Sequence, residues 1–131
     1  MFHNRLWGAA LAGLLLPALA SAQGLRVVRP VPGLVCMSLD EQSLVATRQS
    51  SLPPVLAEPN PTARRIGYPT SIVFVRWPEV RENGYVAMVR LNGQPGWIEA
   101  SHLRPWHPAN GGNATCTPSV MSNGLLGPSV H

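Results

Sequence analysis

The chain has 131 residues, a formal net charge of +4 and only two cysteines. At 12% charged residues and with Leu, Val and Ala well represented, it is neither a disordered polyelectrolyte nor long enough for more than one domain. Every cation is an Arg and there is no Lys, but the Arg residues are scattered and only Arg64 and Arg65 adjoin, so no nucleic-acid face is expected.

Met1 to Ala22 reads as a secretory leader. Arg5 charges the head, Ala9 to Leu16 is apolar, and Ala20-Ser21-Ala22 offers small residues for cleavage. The apolar stretch from Leu6 to Ala20 is about 15 residues, short of the roughly 20 a spanning helix needs, and Pro17 interrupts it. No other segment is long and apolar enough to span, so cleavage is expected to leave no integral membrane segment in a periplasmic or secreted protein. In that compartment the pair Cys36 and Cys116 reads most simply as a disulfide, two free thiols being the alternative.

Residues 23–51 form an N-terminal extension. Gln23 to Gly33 reads as an extended arm with two prolines, and Leu34 to Met37 as the first strand. Ser38-x-x-Glu41 resembles a capping box, which allows one helical turn and no more. Four prolines between Pro53 and Pro61 exclude a helix and a central strand, leaving a short edge strand at Val55-Leu56 and a turn over Glu58 to Pro61.

Three strands follow: Ala63 to Tyr68, Ser71 to Arg76, and Tyr85 to Leu91. In the second, Ile72 and Phe74 share one face and Val73 and Val75 the other. In the third, Tyr85, Ala87 and Val89 oppose Val86 and Met88. Trp77 to Asn83 reads as a charged loop. Asn92-Gly93 predicts a type I′ hairpin turn, with Gly96 to Glu99 as the return strand. Ala100 to Leu103 then suggests a tight helical turn and Arg104 to Trp106 a last strand. From His107 to His131 the composition turns to Gly, Asn, Pro, Ser and Thr. This reads as a tail without its own core, pinned by Cys116, with a turn at Ser122-Asn123-Gly124 and loose final residues.

Residues 52–106 resemble a bacterial SH3-like domain. The resemblance rests on Pro54 to Gly67, on Ser71 to Arg76, and above all on Gly84 to Leu103, with Tyr85, Asn92-Gly93, Gly96-Trp97-Ile98 and Leu103 in the family's order. The longer charged loop at Trp77 to Asn83 and the two Cys-bearing flanks depart from the family pattern. The layout is also similar to small uncharacterised exported proteobacterial SH3-like proteins. The resemblance implies an all-β fold, a small five-to-six-stranded barrel with disulfide-tethered extensions at both ends. Trp97 is expected to dominate its core, with Ile66, Ile72, Phe74, Val86, Val89, Ile98 and Leu103.

Catalytic chemistry has little to stand on. Cys36 with His102 or His107 lacks a peptidase setting, and a disulfide would remove the nucleophile. His102 and His107 flank Pro105 and share no helical face. HEXXH, CXXC and Asp-rich loops are absent, so no metal or cofactor is expected. What the resemblance implies instead is a non-catalytic binding module of the cell envelope, with peptidoglycan or an envelope protein as partner. A structural or interaction subunit without small ligand is the alternative. Trp77, Tyr85 and Trp106 are the candidate groove aromatics, and Arg76 and Arg81 the candidate carboxylate partners. The oligomeric state stays open.

Overall fold

The Val- and Ile-rich stretches pair into antiparallel sheets because each alternates side chains across two faces and bonds its backbone to a neighbour. In the computed structural model, which describes residues 24–131, the strands are β1 (Val27–Pro30), β2 (Leu34–Leu39), β3 (Val55–Leu56), β4 (Arg65–Gly67), β5 (Ile72–Arg76), β6 (Arg81–Glu82), β7 (Tyr85–Val89), β8 (Pro95–Glu99), β9 (Leu103–Pro105), β10 (Cys116–Met121) and β11 (Leu126–Val130). A helical turn α1 spans Glu41–Leu44, and 3₁₀ turns span Gln49–Ser51 and Ala100–His102. The leader read over Met1 to Ala22 lies outside the described residues. Among the described residues, no helix is long and apolar enough to cross a membrane.

The fold is all-β, as expected, but in two sheets. The larger runs β4-β3-β8-β7-β5-β2-β9, with β6 appended to β7; the smaller runs β1-β10-β11. The strand count exceeds the expected five or six, and the larger sheet is not closed into a ring, since its end strands β4 and β9 do not pair. Val55-Leu56, expected at an edge, lies between β4 and β8 and is buried. The expected loop Trp77 to Asn83 contributes β6.

The tail differs most from expectation. Cys116 to Val130 forms a hairpin, and β10 also accepts β1, so these residues are not loose. Pro118 in a central strand and Pro128 beside it argue against strands, yet both fit. Reciprocal backbone bonds between Thr115 and His131, and a bond from Met121 N–H to Leu125 C=O, set the phase of the ladder. In that phase Pro118 and Pro128 oppose each other at a non-hydrogen-bonded pair, where neither owes the other an N–H.

Leu39, Val55, Val73, Val75, Val86, Met88, Ile98 and Leu103 form one core cluster. Phe74, Tyr85, Ala87 and Val89 on the opposite face are buried too, so β7 has no exposed residue at all. Trp97 does not dominate the core. It is half-buried while its neighbour Ile98 is 0% exposed, because alternation along β8 turns Ile98 into the cluster and Trp97 away from it. Ile66 and Ile72 are likewise only half-buried. Gly96 serves spacing rather than bending: a Cβ there would stand 2.6 Å from Val55 Cγ1.

The type I′ turn expected at Asn92-Gly93 forms instead at Asn83-Gly84. Asn83 and Gly84 have φ of 52° and 82° and link Glu82 directly to its partner Tyr85, as a two-residue type I′ turn requires. At Asn92-Gly93 only Gly93 has positive φ. Gly93 N–H bonds to Arg90 C=O and Arg90 N–H to Gln94 C=O, which makes a three-residue loop of Leu91, Asn92 and Gly93.

The cap of α1 is Asp40, not Ser38. Asp40 Oδ1 accepts from Ser43 N–H at 3.1 Å, and its other oxygen lies 3.3 Å from His102 Nδ1. Hydrogen bonding from Ser43, outweighing the opposing effect of burial and helped by His102, holds the Asp40 carboxyl below its ordinary range. A depressed folded pKa gives stability that is present above the unfolded value and is lost as pH falls through the folded one. Asp40→Ala is therefore expected to cost about 1 kcal/mol at neutral pH. In urea unfolding the gap between variant and parent should close as pH drops below about 4; a gap independent of pH would refute the assignment.

Candidate functional site

Arg76, Trp77 and Arg81 come from one continuous segment at the end of β5. The β-branched run of β5 stops at Arg76, and Trp77 N–H bonds to Gly33 C=O at 3.0 Å, pinning the segment to the turn between β1 and β2. Trp77 leaves the sheet there and is 61% exposed. Its peptide bond to Pro78 is cis. Arg76 is exposed beside it. Arg81 pairs with Glu79 at 3.2 Å, an exposed contact of small energetic weight.

The other two aromatics stand apart from this cluster. Tyr85 starts β7 opposite Glu82 and Glu99 and is only 6% exposed, so it packs the interior rather than lining a surface. Trp106 follows β9, which reaches β5 only across β2, and is half-buried. The five residues chosen from sequence therefore form an exposed trio, a buried Tyr and a distant Trp.

A cavity of about 270 Å³ lies elsewhere, and no residue chosen from sequence lines it. It opens where the loop after β4 (Tyr68 to Thr70) faces the end of β7 and its turn. Its apolar lining residues include Ile72, Phe74 and Met88, and its polar ones Tyr68, Arg90 and Asn92. Arg90 lies flat on Gly67, where a Cβ would come within 2.9 Å of Nη2. Arg65 stacks over the Tyr68 ring at 5.1 Å from its centroid. No signal of spacing announces this site, because its walls come from four separate segments, around Val55, Tyr68 to Phe74, Met88 to Asn92 and Leu125. A second cleft of about 270 Å³ lies between the two sheets, among Arg29, Leu34, Arg76 and Val120.

Cys36, in the middle of β2, is bonded to Cys116 at the start of β10, with Cα atoms 6.1 Å apart. The pair expected from sequence thus joins the two sheets, and the sulfur considered as a nucleophile is occupied. His102 faces Asp40, with Glu99 at 4.0 Å from its other nitrogen. His107 is exposed after β9. Among the described residues, no three His, Cys, Asp or Glu side chains are grouped to hold a metal ion.

No protein-family model, curated protein or solved structure matches the chain.

Proposed function

We propose that the chain is an exported, non-catalytic SH3-like binding module of the cell envelope and that its partner is peptidoglycan. The observation that carries this reading is Trp77: a large aromatic, 61% exposed and flanked by Arg76, on a segment held by backbone bonds to both neighbours. An indole face stacks on sugar rings, and an Arg beside it pairs with stem-peptide or lactyl carboxylates. The disulfide between the sheets suits an oxidising, exported setting. The SH3-like reading is supported by element order. A hairpin (β7, β8) is followed by a 3₁₀ turn and a short last strand, β9, which returns to pair with the first strand of that sheet, β2.

A second reading is favoured by the free edge of the small sheet. β1 is an edge strand, with Val27 and Val28 exposed on it and Leu25 exposed just before it, a surface a protein partner covers by adding a strand. A pull-down on purified sacculi separates the two. Retention at low and raised salt, cut about tenfold by Trp77→Ala, is expected for the first. Loss into the wash, with one protein co-purifying, is the outcome that replaces it with the second.

A further inference from the structure

We infer that the cavity between the Tyr68 loop and the β7–β8 turn is a site for a short peptide ending in a free carboxylate on a small apolar residue. This deepens the proposed role as an envelope binding module and rests on it.

Charge comes first. No Asp or Glu lines the cavity, whereas Arg90 lines it, and Arg65 stacks over the ring of Tyr68, another lining residue. Among the described residues, the ion pairs within 4.0 Å are those of Arg81 with Glu79 and of His102 with Asp40 and Glu99, so Arg90 has no internal carboxylate. A half-buried Arg lining a concave, anion-free site favours a ligand carboxylate, which its guanidinium can meet with two parallel N–H donors. Its position is built in. Gly67 omits the side chain that would push Arg90 off the strand, and Gly67 has no positive φ that would otherwise demand glycine.

Shape and polarity select among anions. Much of the lining, with Ile72, Phe74 and Met88, is apolar, which disfavours inorganic phosphate and favours a carboxylate carrying an alkyl group. At about 270 Å³ the cavity falls below the roughly 300–1,000 Å³ of sites for drug-sized ligands. It accepts a terminal residue or two, not a glycan strand or a long acyl chain. The loop Tyr68 to Thr70 and Asn92 also bring amide and hydroxyl groups to the lining, suited to a peptide bond rather than to a bare hydrocarbon.

The shared chemistry, a carboxylate on a short apolar body, could come from a peptide terminus or from a fatty acid. The test therefore uses three probes, N-acetyl-D-alanyl-D-alanine, its C-terminal amide and octanoate, titrated into the oxidised protein with binding followed by NMR shifts. The expected result is saturable binding of the free acid, with shifts at Tyr68, Phe74 and Arg90. The amide should bind about tenfold more weakly, as should the free acid to Arg90→Gln. Gly67→Ala should weaken binding too, by displacing the guanidinium while keeping its charge. Equal affinity for acid and amide, tighter binding of octanoate, or unchanged affinity in both variants would each overturn the inference, as would no binding at millimolar concentrations. Retention on sacculi without dipeptide binding would sink this site and leave the envelope module standing. Dipeptide binding without sacculus retention would do the reverse.

Discussion

Replacing Cys36 and Cys116 together by Ser is expected to lower the unfolding free energy by about 4–5 kcal/mol, the chain-entropy value for a closed loop of about 80 residues. The sequence separation is 80, so the untied unfolded chain regains nearly the largest freedom a chain of this length can regain. Between the sheets, Leu126 N–H reaches Leu91 C=O at 2.8 Å, and Pro118, Ser119 and Gly127 of the small sheet are buried. Such a bond is worth only about 1 kcal/mol in net terms. A small domain has roughly 5–15 kcal/mol in all, so the double variant should lose a large share of its stability. Urea unfolding of parent and variant, with amide exchange followed at Val120 and Ser129, tests this. Exchange in β10 and β11 should accelerate more than in β5 and β7. A loss below about 1 kcal/mol would mean that the packing between sheets, not the covalent tie, holds them together.

The second large effect separates two adjacent residues. Ile98→Ala should cost about 3–4 kcal/mol, within the range for emptying a fully enclosed aliphatic site. Ile98 is 0% exposed and belongs to the cluster with Val55, Val86 and Leu103, whose neighbours cannot collapse into the space without breaking strand pairing. Trp97→Ala removes more atoms but from a half-buried position against β3, where water enters rather than a void forming. It should cost about half as much. Paired urea titrations check the order, and a larger loss at Trp97 would contradict the facing assigned to β8.

The strands of the larger sheet were legible because β5 and β7 carry strong period-two patterns of Val, Ile, Phe and Met, and because short turns separate them. Whether Asn83-Gly84 or Asn92-Gly93 would form the type I′ turn was not. Both steps have the right residues, and the choice lies in the partner strand. Arg81 and Glu82 find free backbone on β7, which forces the tight turn onto Asn83-Gly84 and leaves Asn92-Gly93 the wider loop. The small sheet was missed for a related reason. Pro118, Pro128, Ser119 and Gly127 score poorly as strand formers one by one, and only their register makes them compatible. Trp97 was given the core by size, whereas alternation decides facing and gave it to Ile98. Of the candidate site, the Arg76, Trp77 and Arg81 segment was readable as polar and aromatic residues interrupting a strand pattern. Arg90 on Gly67 was not, since that contact depends on β4 and β7 being brought close by β3 and β8.

The pairing of β1 with β10 imposes an order of events on any chain that emerges N-terminus first. Val27 to Pro30 leaves a ribosome or a translocation channel about 90 residues before its hydrogen-bonding neighbour. Until then its backbone has no strand partner on either side, a stretch prone to mispairing. The closing step thus joins segments from opposite ends of the molecule, a topology associated with folding in milliseconds to seconds rather than microseconds. A chaperone that shields nascent edges would find both sides of this strand open during that interval, and one side afterwards.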